Sequence, residues 1–318
     1  MSIVVSMLTI HLHKSVKAVA IATLLLLVSH MAQTQDAVSF LKAETVNEPA
    51  AKARLAAGVE QAFSFTRNLI FFEARVNGKQ GNFILDTGAP TLLLNNRGNT
   101  VGHPAPTGLA AGGTVSLENQ LIESFEMGGR SLGKRWALAM DLRSMEDRTG
   151  QTIDGFVGHE ILRQGELRIN FPGRKFRLLK STRRPRHEGQ APVTVLKFQF
   201  IDHLPVITLR VGKQKLRFVI DTGAGANLVD KRFRDVFTPT GTEMNIQGLD
   251  GDNEDYSIVL IPELRLEGDK LEQATFVAMD LSHLQSPGQP LIAGILGSVF
   301  LADRVVGIDY RKRKINLW

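Results

Sequence analysis

Two aspartates of this chain sit in nearly the same surroundings. Asp86 lies in Phe83-Ile84-Leu85-Asp86-Thr87-Gly88-Ala89, and Asp221 lies in Phe218-Val219-Ile220-Asp221-Thr222-Gly223-Ala224, 135 residues further on. An apolar strand that delivers a carboxylate to its end is an unusual placement, because carboxylates are seldom buried without a partner. The Gly two residues after each Asp permits a tight turn and lets another segment come close. If two such turns meet about a pseudo-two-fold axis, the carboxyls lie near enough to share a proton. Two like charges about 3 Å apart do not both ionise easily, so one apparent pKa falls, the other rises, and both belong to the pair. The ionised member can take a proton from a water, the water can attack a carbonyl carbon, and the protonated member can supply a hydrogen to the carbonyl oxygen. That chemistry needs neither a metal nor a covalent intermediate.

The flanking sequence repeats too. Arg75-Val76-Asn77-Gly78-Lys79 leads to the first aspartate and Arg210-Val211-Gly212-Lys213-Gln214 to the second. Ala139-Met140-Asp141-Leu142 returns as Ala278-Met279-Asp280-Leu281, 139 residues on. At that same spacing Gly155-Phe156-Val157-Gly158 returns as Gly294-Ile295-Leu296-Gly297, and Leu167-Arg168-Ile169-Asn170-Phe171 as Val306-Gly307-Ile308-Asp309-Tyr310. Blocks that recur in one order mark a duplicated unit. The first copy is expected over residues 68–180 and the second over 192–318, with the Arg-, Pro- and Gly-containing stretch 181–191 as a linker.

The elements that must position the aspartates read as strands. Leu69–Val76 and Gly81–Leu85 flank Asn77-Gly78, a strong hairpin signal. Leu204–Val211 and Leu216–Ile220 repeat the pattern around Gly212. Leu121–Met127, Trp136–Met140, Leu167–Ile169 and Phe176–Leu179 are strand-like in length and pattern, as are Val259–Leu266, Ala274–Met279, Arg304–Ile308 and Lys314–Leu317. One short helix is expected in each copy, at Gly158–Arg163 and Gly297–Ala302. The fold class is therefore all-β, with two pseudo-symmetric lobes.

Composition narrows the rest. The chain has 318 residues, 43 % hydrophobic and 22 % charged, enough for two cores. The net charge of +6 is local in part, with Lys180, Arg183, Arg184 and Arg186 in one stretch and Arg311, Lys312, Arg313 and Lys314 in another. No aromatic-rich RNA-binding pattern accompanies them, so they read as solvated faces and no nucleic acid is expected. The absence of cysteine excludes disulfides, thiol nucleophiles, Cys-ligated zinc and a lipidated N-terminal cysteine. The histidines, among them His103, His159, His203 and His283, do not fall at metal-ligand spacing, and no Gly-x-Ser-x-Gly motif occurs.

Lys14 and Lys17, then the apolar run from Ala18 to Val28, then the polar stretch Gln33–Asp36, follow the pattern of a secretory signal peptide, expected over residues 1–35. The run is shorter than the ~18 residues of a transmembrane helix. Export to the periplasm or cell exterior is expected, and the alternative is an N-terminal membrane anchor. Residues 36–67 read as a leader or an N-terminal helix.

Asp86-Thr87-Gly88-Ala89 and Asp221-Thr222-Gly223-Ala224 resemble the Asp-Thr-Gly signature of the aspartic peptidases, in particular the retropepsin-like branch. Phe156-Val157-Gly158 and Ile295-Leu296-Gly297 resemble the hydrophobic-hydrophobic-Gly element that packs beside each active-site loop of that family. The likeness spans about Asn68 to Trp318. It implies two lobes, each closed and barrel-like, in one chain with the duplicated plan of the pepsins, where two carboxyls share a proton. Asp86 and Asp221 would form the catalytic dyad. Thr87 and Thr222 would hydrogen-bond across the interface, Gly88 and Gly223 would allow the turns, and Ala89 and Ala224 complete the loops. Gly158 and Gly297 would support the loops from behind. The family implies a peptide or protein substrate, a monomer that is an internal pseudo-dimer, no cofactor and no metal.

The chain departs from the pepsins at the flap, where no Tyr stands. The region Thr107–Thr114 is instead Gly-rich, and Gly112 and Gly113 are candidate flap-tip residues. The matching stretch Gly248–Asp255 is acidic. Its Asp250, Asp252 and Asp255 lack the final Glu of a calcium loop and read as a solvated loop. Asp154 has Ala293 as its counterpart and reads as a turn or capping residue, as do Asp141 and Asp280. Two functions are weighed: an aspartic endopeptidase, and an inactive peptide-binding or structural protein on the same scaffold. Degenerate members lose the Asp or its Gly, and both copies here keep both.

Overall fold

Turn chemistry sets the frame of each half. Asn77 and Gly78 both take positive φ (51° and 79°), which a tight hairpin turn of this hand requires, and they join Leu69–Val76 to Lys79–Leu85. Gly212 (φ 57°) opens the corresponding turn between Leu204–Val211 and Gln214–Asp221. The Asn77 side chain does more: its oxygen accepts the N–H groups of Glu123 and Ser124 at 2.8 and 3.1 Å. That corner splits the run expected as one strand, Leu121–Met127, into Gly113–Ile122 and Phe125–Met127. The expected strand Val259–Leu266 is likewise divided, into Asn253–Leu260 and Leu264–Leu266.

The structure is a computed structural model and describes residues 58–110, 113–247, 253–262, 264–266, 269–270, 274–282, 285 and 288–318. The expected signal peptide lies outside the described residues, as does the leader up to residue 57. Over the described residues the chain is mostly β with a few short helices. No described helix is long and apolar enough to cross a membrane.

Among the described residues the strands form two sheets. The ten-stranded sheet comes from the first copy alone. Its centre is Leu93–Asn95, Gly155–Val157, Lys79–Leu85 and Leu69–Val76, and the hairpin His103–Ala110 with Gly113–Ile122 forms one edge. The larger sheet holds the strands of the second copy, and three more are added at one end: Glu166–Asn170 and Lys175–Leu179 of the first copy, and Val59–Ala62 from the segment before it. Where the copies meet, Glu166–Asn170 runs antiparallel to Val305–Asp309, and Arg168 faces Gly307, its own counterpart in the repeat. Glu166 faces Asp309 and Asn170 faces Val305, so the pairing is symmetric about that point. The pseudo-two-fold axis therefore runs through the sheet that ties the halves together.

Both faces of the aspartate-bearing strands are buried, which explains why they read as unbroken apolar runs. Phe83 and Leu85 enter one core and Ile84 the other; Phe218 and Ile220 enter the first and Val219 the second. Aromatic rings lock the first core edge to face, with Phe72 on Phe176 at 5.0 Å and Phe83 on Phe125 at 5.9 Å between centroids.

Residues 58–67, expected within a leader or N-terminal helix, are strand instead. Val59–Ala62 pairs with Lys175–Leu179, and Ser64–Thr66 with Leu69–Val76. Buried Val59 and Phe63 hold the segment against the first core, where pairing with a free sheet edge outweighs local helix propensity. The linker residues are anchored from the sheet: Arg168 Nη1 donates to Arg186 O at 2.6 Å, while its guanidinium pairs with buried Glu166 (2.6 Å) and lies 4.6 Å from the Trp318 ring. The short helices His159–Leu162 and Ser298–Leu301 follow Gly158 and Gly297 as expected. Among the described residues two more were not foreseen: the helix Arg143–Thr149, whose sequence has no apolar stripe, and the 3-10 helix Lys231–Val236, capped by Asp230.

Candidate active site

Each aspartate arrives on a strand flanked in parallel by the hydrophobic-hydrophobic-Gly element of its own half. Leu85 lies beside Val157 and Asp221 beside Gly297, and the Asp86 N–H donates to Val157 O at 3.0 Å. Beyond the aspartate the chain turns back on the carboxyl. Gly88 N–H and Ala89 N–H donate to Asp86 Oδ1 at 2.7 and 2.9 Å, and Gly223 N–H donates to Asp221 Oδ1 at 2.8 Å. The loops differ at the next residue: Ala224 N–H goes to the backbone carbonyl of Asp221, at 3.2 Å.

The two loops meet. A Cβ placed on Gly88 would lie 2.7 Å from the carboxyl of Asp221, and one on Gly223 would press closer still on the carboxyl of Asp86. Each glycine is therefore the surface against which the opposite carboxyl rests, and no larger residue fits. The carboxyls of Asp86 and Asp221 lie close enough for each to perturb the other. Beneath them the threonines interlock: Thr87 N–H donates to Thr222 Oγ1 at 3.1 Å and Thr222 N–H to Thr87 Oγ1 at 3.0 Å. Each hydroxyl passes its own hydrogen to the opposite strand, Thr87 to Ile220 O at 2.9 Å and Thr222 to Leu85 O at 2.8 Å. Both side chains are fully buried, so all four bonds are shielded from water.

Gly158 and Gly297 brace the loops from behind. A Cβ on Gly158 would meet the carbonyl oxygens of Ala89 and Thr91 at 2.5 Å each, and Gly297 abuts those of Ala224 and Ala226. The helices that follow catch the same loops, His159 N–H on Ala89 O (2.8 Å) and Ser298 N–H on Ala224 O (2.7 Å). Ser298 Oγ adds a bond to Thr222 O at 2.9 Å.

Electrostatics follow from this packing. Burial pushes both carboxyls above the ordinary aspartate range. Asp86 goes further, because the charge of Asp221 lies beside it, while the Gly88 and Ala89 N–H groups pull the other way. The pair holds one shared proton over a range where separate aspartates would both be ionised. Such a pair can accept a proton from a water at one oxygen and release one at another.

Of the other residues singled out, Gly113 begins a strand paired with Ala110 on the hairpin at the sheet edge, and Gly112 lies outside the described residues. So do Asp250, Asp252 and His283. Asp154 lies away from the pair: it accepts Asn82 N–H at 2.7 Å and pairs with Arg97 at 2.9 Å. Asp141 and Asp280 accept N–H groups two residues on, from Arg143 (3.0 Å) and Ser282 (2.8 Å). Among the described residues no group of three His, Cys, Asp or Glu is placed to hold a metal.

Two contacts at the site were missed in the sequence. Asn68 Nδ2 donates to Gly225 O at 2.9 Å, and His203 Nε2 lies 2.7 Å from Gly88 O. Both cross from one half to the loop of the other. The signal was present, since His203 follows Asn68 by the same 135 residues that separate the aspartates. Behind His203, the rings of His159 and Tyr310 pack edge to face, 5.4 Å apart between centroids. Tyr310 OH and His159 Nδ1 find no hydrogen-bond partner among the described residues.

Residues 207–300 match the aspartyl protease family model. The matched span contains Asp221-Thr222-Gly223 and Gly297, so the chain is similar to aspartyl proteases through the loop and brace of its second half. No curated protein matches the chain.

Proposed function

We propose that this protein is an aspartic endopeptidase of the single-chain, two-lobe kind with retropepsin-like loops, in which Asp86 and Asp221 activate a water for attack on a peptide bond. The observation that carries this reading is the facing pair of half-buried carboxyls, one from each copy, held by loop N–H groups and by glycines that leave no room for another side chain. The family match over residues 207–300 supports the hydrolase class independently. Asp221, facing the protonated Asp86, is the acceptor for the water proton, and Asp86 supplies a hydrogen to the scissile carbonyl. The Gly88 and Ala89 N–H groups then stabilise the charge left on Asp86. The substrate is an extended peptide lying over the two loops, and the edge hairpin His103–Ala110 with Gly113–Ile122 acts as the flap. The apolar run behind Lys14 and Lys17 supports a site of action outside the cytoplasm.

The test is digestion of denatured proteins from about pH 3 to about pH 8, with new peptide ends read by mass spectrometry. Asp86→Asn and Asp221→Asn are each expected to lower turnover by at least ~10²–10⁴-fold with the fold retained, the usual scale of general acid–base catalysis. Turnover retained in both variants would sink the proposal, and an inactive wild type would favour a peptide-binding role for the scaffold.

A further inference from the structure

His203 belongs to neither aspartate loop. Thr194–Ile201 and Leu204–Val211 remain paired up to Ile201 and Leu204, so Asp202 and His203 form a two-residue turn, with Asp202 at a positive φ of 54°. The turn reaches the other half, where the His203 ring bonds the carbonyl of Gly88. A carbonyl oxygen only accepts, so Nε2 carries the hydrogen. The same amide unit donates its N–H, that of Ala89, to Asp86 Oδ1. One planar group is thus held at both ends, by His203 at its oxygen and by Asp86 at its hydrogen. Hydrogen bonds linked in this way polarise one another.

The other half lacks this chain. Asn68, the counterpart of His203, grips Gly225 O, and the Ala224 N–H there goes to a backbone carbonyl and not to a carboxylate. The asymmetry lies at the aspartate that carries the higher load of protonation.

We infer that His203 is a positioning residue for Asp86: it fixes the Gly88–Ala89 amide across the boundary between the halves and thereby sets the acidity of the paired carboxyls. The inference deepens the peptidase reading and rests on it for the kinetic readout alone. The groups around the imidazole are Asp202 in its own turn, Asp221 at the end of its strand, and His159 at the head of the helix His159–Leu162, 6.2 Å away between ring centroids. Arg163 and Tyr310 act at one remove, through His159. Burial pulls His203 below its ordinary pKa, against the raising effects of the Gly88 bond, Asp202 and Asp221. The ring is therefore neutral at neutral pH and acts through its N–H. Removing that donor weakens the Ala89 N–H bond to the ionised Asp86, so the pH at which Asp86 gives up the shared proton rises.

The experiment is a ¹³C-carboxyl NMR titration of the full chain, in wild type, His203→Leu and His203→Gln, alongside the pH dependence of kcat/KM on a peptide substrate. His203→Leu is expected to raise the upper apparent pKa of the pair by roughly half a pH unit, with the alkaline limb of kcat/KM moving alike. His203→Gln keeps a neutral N–H donor and is expected to titrate near wild type. An unmoved titration in His203→Leu, or an equal shift in both variants, overturns the inference in favour of simple packing. If His203→Leu does not fold, His203→Ala with added imidazole replaces it: recovery of the wild-type titration supports the inference, and no recovery overturns it. The carboxyl titration does not require turnover, so an inactive wild type would count against the peptidase reading while this result still stood.

Discussion

At the residue scale the decisive feature is that loops from different copies satisfy each other's buried polar groups. Thr222 Oγ1 takes the Thr87 N–H and gives its hydrogen to Leu85 O in a fully buried setting. Thr222→Val preserves shape and removes both bonds, leaving a buried N–H and a buried C=O unpaired. At ~1–3 kcal/mol for each unsatisfied group, a loss of about 2–6 kcal/mol is expected. Thr222→Ser keeps the hydroxyl and is expected to lose less than about half of that. Urea unfolding midpoints of the two variants decide between them; equal losses would mean that the methyl group and not the hydroxyl matters.

At the element scale, the parallel strand and helix behind each loop act as a brace whose fit depends on glycine. Gly158 has extended backbone, so its value lies in the missing side chain and not in unusual angles. Alanine there meets two carbonyl oxygens that belong to the loop itself, and backbone yields less readily than a side-chain tip. Gly158→Ala is expected to cost ~1–3 kcal/mol, the usual range for overpacking. It should also displace Ala89, whose N–H touches Asp86, so cleavage is expected to fall by more than the lost stability accounts for. Thermal unfolding and kcat measured on the same preparation test this, and unchanged kcat would separate the brace from the site.

At the scale of the whole molecule, stability and the paired carboxyls are linked through pH. Unfolded aspartates titrate near pH 3.9, and in the folded state burial raises both Asp86 and Asp221. Over the interval between, the native state binds more protons than the unfolded chain, so stability is full below about pH 4 and declines as pH rises through the folded values. His159 works in the opposite sense. Burial lowers it to about 4, so it subtracts stability as pH falls from about 6.5 toward that value. Asp86→Asn removes the cost of holding two carboxyls together. It is expected to unfold at a higher temperature than wild type at pH 7, by a margin of at least about 1 °C. The advantage should vanish near pH 4, and calorimetry at the two pH values measures it directly. A constant difference at both would show that the pair does not titrate as a coupled unit. The halves cannot be treated separately in any of this, because Glu166–Asn170 is paired with Val305–Asp309 across the axis and each loop is completed by the other.

The amino-acid sequence was enough for the duplication, the strand-rich fold, the hairpin at Asn77-Gly78, the two short helices and the pairing of Asp86 with Asp221 as candidates. All of these rest on local turn chemistry or on spacing, which a linear chain displays directly. Three things came only with the folded chain. Residues 58–67 became strand because the edge at Lys175–Leu179 was free to pair with them. The run Leu121–Met127 broke because Asn77, distant in sequence, caps its corner. His203 and Asn68 reached the opposite loops because the register of Arg168 on Gly307 fixes how one copy is turned on the other. Pairing between distant segments depends on which edges and pockets are left open after the local structure forms, and no residue spacing encodes that. The aspartates were readable because each copy repeats the same loop; His203 shares that spacing with Asn68, but the amide it engages lies in the other half, which spacing alone does not reveal.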